Sequence, residues 1–323
     1  MTRASGIGSL PGEDAHEAAR VVLGELPDLP HLPELPARGA LADLTGRAVA
    51  VVADLGFDLQ PAGWRLTDAA GVDHRRARSL LAQDLDAFEE ASQGLTGTLK
   101  VQVAGPWTLA ATVEKPRGDK VLSDHGARRD LAQALAEGVR THLADVARRV
   151  PGVELVLQVD EPALPAVLAA RVPTASGFGR HRSVTPPVAS EALEWVLDAA
   201  GDRLTVVHCC DAEVPVGLLR SAGAGAVSVD VATLAVTAYD ELATVLDEGG
   251  TALLGVLPAT GSAAPSVKAA VERTMRLLDM LGLDPAEVSD RLVLTPACGL
   301  AGATPAYARA VLAALRGAAE ALT

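Results

Sequence analysis

Residues 203–231 read RLTVVHCCDAEVPVGLLRSAGAGAVSVDV. Two continuous apolar runs, 204–210 and 226–231, stand at its ends. The first closes on His208, Cys209 and Cys210, and the second contains Asp230. A run without polar alternation suits a strand buried on both faces, as in a parallel sheet covered by helices. Working outward, similar runs recur at 153–160, 252–257 and 292–297, and less clearly at 4–10, 56–61 and 98–105. The run at 56–61 is the weakest. Helical stretches separate the runs, with apolar residues at three- and four-residue spacing in 128–149, 187–200, 239–248, 266–281 and 304–321. Strands that alternate with helices eight times over predict a (β/α)8 TIM barrel, a single α/β domain spanning 1–323. A doubly wound open sheet is the alternative. The Pro-rich stretch 28–38 reads as a loop. So does 171–187, with three Arg, one His and three Pro, as plain surface or as a lid.

Composition narrows the function classes. Only 2% of the chain is aromatic while 49% is apolar, so Leu, Val and Ala must fill the core. The net charge of −13 argues against a nucleic-acid binder, which needs a basic patch, and against adhesion to anionic lipid. No long uncharged apolar run suggests a membrane span, and the first residues, MTRASGIGSLPGEDAHE, lack the apolar core of a signal peptide. A cytoplasmic protein is expected. Three cysteines, two of them adjacent, make no disulfide framework.

In a barrel the site forms where strands end and the following loops begin. All three cysteines fall at the ends of two strands, and His208 is the one histidine of seven that caps an apolar strand. His16, His31, His74, His125, His142 and His181 read as surface residues. The spacing His208-x-Cys210 puts both side chains on one strand face. Cys298 comes from a later strand and Asp230 from one between. One nitrogen, two thiolates and one carboxylate are a donor set that zinc accepts in a tetrahedral shell. Cys209 points the other way and reads as packing.

Asp160 and Glu161 follow the run VELVLQV and are costly to bury unpaired. Asp160 reads either as a contact for a substrate amino group or as part of a salt bridge in the barrel mouth. Gly6-Ile7-Gly8-Ser9 is a poor dinucleotide fingerprint, because Pro11 interrupts it and Gly12 is misplaced. It reads as a carboxylate-binding strand end or as a simple tight turn.

These residues resemble the C-terminal catalytic barrel of cobalamin-independent methionine synthases. The resemblance is carried by GIGSLPG at 6–12, AGPWT at 104–108, QVDEPAL at 158–164, VHCC at 207–210, AVSVDV at 226–231 and TPACGL at 295–300. It implies zinc bound by His208, Cys210, Asp230 and Cys298. It also implies homocysteine as methyl acceptor, with its carboxylate at Ile7, Gly8 and Ser9 and its amino group at Asp160. Trp107, in the GPWT element, joins the substrate-binding set. The catalytic residues are then His208, Cys210 and Cys298.

Three departures are visible. The family's glutamate ligand is Asp230 here. The family's Asp-x-His after the seventh strand is replaced by GVLPATGS at 255–262. The half of the long enzymes that helps hold folate has no counterpart. Two methyl donors therefore stay open: methyltetrahydrofolate, or a methyl-corrinoid on a partner protein. Two other readings remain. One is a lyase like uroporphyrinogen decarboxylase, which needs no metal and gathers arginines near its N-terminus. The other is a non-catalytic zinc-binding barrel.

Overall fold

The computed structural model describes all 323 residues. Seven parallel strands form one curled sheet in the order β1, β9, β8, β7, β6, β5, β4. They are β1 (Arg3–Ala4), β4 (Gly97–Ala104), β5 (Val153–Asp160), β6 (Thr205–Cys209), β7 (Ala226–Asp230), β8 (Thr251–Leu257) and β9 (Leu292–Pro296). The remaining two, β2 (Gly56–Gln60) and β3 (Gly63–Thr67), pair with each other as an antiparallel hairpin outside this sheet. The runs at 98–105, 153–160, 204–210, 226–231, 252–257 and 292–297 become parallel strands within a residue or two of their expected bounds, whereas the run at 4–10 yields only the two-residue β1 and an isolated bridge at Ser9. The weakest run becomes a strand of a different kind.

The eighth position of the circuit is filled by the segment expected to be a loop. Residues 29–34 lie between β4 and the extension of β1. Lys100 N–H donates to the Pro30 carbonyl and Leu32 N–H to the Lys100 carbonyl, each at 2.9 Å. On the other side Glu34 N–H donates to Gly8 O, and Leu10 N–H to Glu34 O. Leucine and proline recur every three residues here (Leu26-Pro27, Leu29-Pro30, Leu32-Pro33, Leu35-Pro36), and all four leucines are buried. Proline lacks the N–H that a regular ladder needs, so only isolated bridges form. The stave is held mainly by its leucines.

The two-residue period of the strands sorts the barrel interior into layers. Leu29, Val156, Val206, Ala226, Leu253 and Val293 form a small apolar plug at one end. Two residues further along β5, β6, β7 and β9 stand Gln158, His208, Ser228 and Thr295, all buried. One step more reaches Asp160, Cys210 and Asp230. The outward faces join an 81-residue cluster with the surrounding helices. These helices carry side-chain N-caps from Asp14, Asp43, Asp124, Ser266 and Thr304. Cys209 is fully buried in that outer cluster, as its strand parity requires.

Not all the histidines expected at the surface are there. His31, His74 and His181 are buried. His31 lies on the Leu-Pro stave, His74 stacks edge-on against Phe57 with ring centres 5.2 Å apart, and His181 faces Asp119 at 3.1 Å. No helix is long and apolar enough to cross a membrane.

Candidate metal centre and substrate cavity

The apolar plug leaves the polar layers facing a cavity of about 330 Å³ at the carboxyl ends of the strands. Its walls include Ile7, Gly8, Ser9, Glu34, Asp160, His208, Cys210 and Cys298. Cys210 and Cys298 sit one and two residues past the ends of β6 and β9. Their sulfurs are 3.2 Å apart, and both cysteines are free thiols. His208 joins them, so that one donor atom from each of the three residues lies within 4.8 Å of the others.

His208 is held from behind. Its Nδ1 is 2.9 Å from Ser228 Oγ, and its Nε2 is buried without a hydrogen-bond partner. A buried nitrogen left unpaired beside two thiols is a costly arrangement for a protein that binds nothing there. The contact with Cys210 and the nearby His208 imidazole pull the Cys298 thiol well below the usual range, while the same sulfur contact pushes Cys210 up. One imidazole nitrogen and two sulfurs in contact are the donors that a soft or borderline divalent metal prefers. This trio can therefore hold a metal ion.

Carboxylates line the same cavity, and Asp160 lies directly beside His208 across the β5–β6 pair. Asp160 and Glu34 are buried, and burial pushes the Asp160 carboxyl up to about 7, against the pull of His208 and Lys100. Gln158 donates to Asp160 Oδ1 at 2.7 Å. Lys100, buried among these groups, has its ammonium pulled down to about 8 by desolvation. Its Nζ donates to Ile7 O at 2.8 Å, and Gln158 Nε2 donates to the same oxygen. These bonds fix the strand end at 7–9. Gly8 and Ser9 use their N–H groups in no hydrogen bond within the chain. Ser9 is also locked to the Cys298 loop: Leu300 N–H donates to Ser9 O, and a Cβ on Gly299 would sit 2.1 Å from Ser9 Oγ.

Of the residues expected in the site, the structure brings together His208, Cys210, Cys298, Ile7, Gly8, Ser9 and Asp160. It does not bring in two others. Asp230 is outside both the trio and the cavity wall. Its carboxylate accepts from Ala232 N–H and the Thr233 hydroxyl in its own turn, at 2.9 and 3.0 Å. Trp107 is buried in the outer cluster, and its indole N–H donates to Ala189 O. The GPWT turn faces the helices because Glu161, on the outward parity of β5, accepts from Trp107 N–H, Thr108 N–H and the Thr108 hydroxyl. Glu161 is thereby an anchor of the fold.

Sequence reasoning missed Glu34, Lys100, Gln158 and Ser228. Ser228 and Gln158 were signalled by strand parity, two residues before Asp230 and Asp160. Glu34 was hidden in the Leu-Pro repeat. The arginines near the N-terminus do not gather at the cavity: Arg3, Arg20 and Arg38 are absent from its walls, and Arg38 pairs with the buried Asp84.

A closed ring of parallel staves with thiols, an imidazole and carboxylates at the carboxyl ends of its strands defines a barrel enzyme of the (β/α)8 class. Residues 79–321 match the family model of the cobalamin-independent synthase catalytic domain. The chain belongs to that family, and it is a methyltransferase of the methionine synthase kind. No curated protein sequence matches it. Among solved structures it is similar to a B12-independent methionine synthase from Shewanella sp. W3-18-1 in complex with selenomethionine. The identity is 14% and the TM-score 0.62, over 100% of this chain and 98% of that one. It is also matched by a GH5_18 protein from Streptomyces cattleya in complex with GlcNAc, at 16% identity and TM-score 0.45, over 99% of this chain and 80% of that one.

Proposed function

We propose that the protein methylates the thiol of homocysteine to give methionine, with zinc at the trio of His208, Cys210 and Cys298. The observation that carries this reading is the shared cavity, whose lining holds thiophilic donors and amino-acid-binding groups side by side. Asp160 suits a substrate ammonium: it faces the cavity with no direct salt-bridge partner, whereas Glu34 is already paired with Arg47. The free N–H groups of Gly8 and Ser9 suit a substrate carboxylate. An amino acid held at both ends this way directs its side chain towards the trio.

When bound, zinc would act as a Lewis acid that favours the thiolate of a substrate thiol whose free pKa is near 8.5. His208 Nε2 and the two cysteine sulfurs would hold it. Homocysteine sulfur attacks a methyl carbon entering from the open end of the barrel. The new C–S bond forms as the donor loses its bond to that carbon. The plug and the closed ring of staves keep water from the floor of the site, and the barrel supplies the alignment.

Membership in a cobalamin-independent family favours methyltetrahydrofolate over a methyl-corrinoid as donor. The test offers both donors to zinc-loaded protein with homocysteine and follows methionine by mass spectrometry. Methionine from methyltetrahydrofolate is the expected result. Methylation from methylcobalamin alone would overturn the donor, and no methionine from either would overturn the activity.

A further inference from the structure

We propose that strand β7 serves the metal centre through Ser228, which orients the His208 imidazole, and not through Asp230. The inference rests on reading the trio as a metal site. Three observations carry it. First, β6 and β7 pair in register so that His208 lies directly opposite Ser228. Ser228 is fully buried, and its hydroxyl is 2.9 Å from Nδ1. Second, that contact leaves Nε2 as the buried nitrogen without a partner. With the ring proton on Nδ1 donated to Ser228 Oγ, the Nε2 lone pair is presented to the sulfurs in a fixed tautomer and a fixed plane. Third, Asp230 has both carboxylate oxygens engaged in its own turn, by Ala232 N–H and the Thr233 hydroxyl. It would have to surrender both bonds to reach the sulfurs.

The consequence is a centre with three protein donors. A tetrahedral ion held by three side chains keeps one position for the substrate, the usual form of a catalytic zinc site. On this assignment His208, Cys210 and Cys298 would hold the ion, and a substrate sulfur would find a position open without the loss of a protein donor. Ser228 is a positioning residue, since it acts through His208 and touches no substrate.

The experiment titrates Zn²⁺ into metal-free protein in competition with a chromophoric chelator, so that affinity is read without turnover. Ser228→Ala is expected to weaken binding roughly 10- to 100-fold, the range for loss of a partner behind a ligating histidine. Ser228→Thr, which keeps the hydroxyl on the same carbon and suits a strand, is expected to restore it. Asp230→Asn is expected to keep wild-type affinity, and circular dichroism of each metal-free variant reports whether it folds. Wild-type affinity in Ser228→Ala would overturn the assignment. So would a loss of zinc in folded Asp230→Asn as complete as that in Cys210→Ser. If Ser228→Ala does not fold, the Asp230→Asn arm still decides the second half. Failure of the underlying metal reading looks different: wild type would then bind zinc no better than Cys210→Ser.

Discussion

Cys210 and Cys298 meet because β6 and β9 each end one or two residues before a cysteine, and curling of the sheet brings those ends together. Their role is separable from packing, since Ser keeps the size of Cys but not its affinity for zinc. Purified protein is expected to carry near-stoichiometric zinc, measured by plasma emission, and Cys210→Ser and Cys298→Ser are each expected to lose it. Zinc retained in both would remove the site. Asp160 allows a second measurement. Burial holds its carboxyl near 7, so at lower pH it is protonated and cannot pair with an ammonium. Methionine has no thiol, so its binding isolates this part of the cavity. Its affinity is expected to rise as pH rises through about 7, where Asp160 ionises. Asp160→Asn is expected to flatten that slope and to weaken binding by about 1.5–3 kcal/mol, the range for a hydrogen bond to a charged group. Calorimetry across this pH range checks both, and a flat profile in the wild type would refute the assignment. At this scale the sequence was legible for His208, Cys210 and Cys298, because parity and strand ends decide them. Asp230 was not legible, because its turn, not its strand, sets where the carboxylate goes.

Among the elements, the strands buried on both faces were readable and the Leu-Pro stave was not. Runs such as 204–210 and 292–297 carry apolar residues on both parities. The stave has a period of three, and proline normally argues against a strand at a central position. It succeeds here because Leu32 and Glu34 supply the few N–H groups that the two neighbours require. The hairpin of β2 and β3 misled in the opposite sense: it is a real strand pair, but antiparallel and outside the ring. If leucine burial holds the stave, Leu32→Ala is expected to cost about 2–5 kcal/mol. Pro33→Ala should cost only about 0.4–1 kcal/mol, through the freer unfolded chain. Urea unfolding of the two variants compares these values directly. Equal losses would mean that the prolines, not the leucines, fix the stave.

Across the whole molecule, the proposed metal centre would tie together distant parts of the chain. His208 and Cys210 end one stave, Cys298 follows another three positions round the sheet, and the Cys298 loop is bonded to Ser9 beside the first stave. A ligand that binds the folded chain and not the unfolded one stabilises it by mass action, by about 2.7 kcal/mol when its free concentration is 100 times Kd. Unfolded cysteines retain some affinity for zinc, which lowers that figure. Zinc-loaded wild type is therefore expected to melt at a higher temperature than the same protein stripped by a chelator, and re-addition of zinc should restore the difference. Cys298→Ser is expected to melt at one temperature under all three conditions, because its tie is already cut. Asp230→Asn should follow the wild type, since its carboxylate belongs to the turn. Differential scanning calorimetry in the three conditions checks the set. A chelator shift of equal size in Cys298→Ser would place the stabilising metal somewhere other than the barrel mouth.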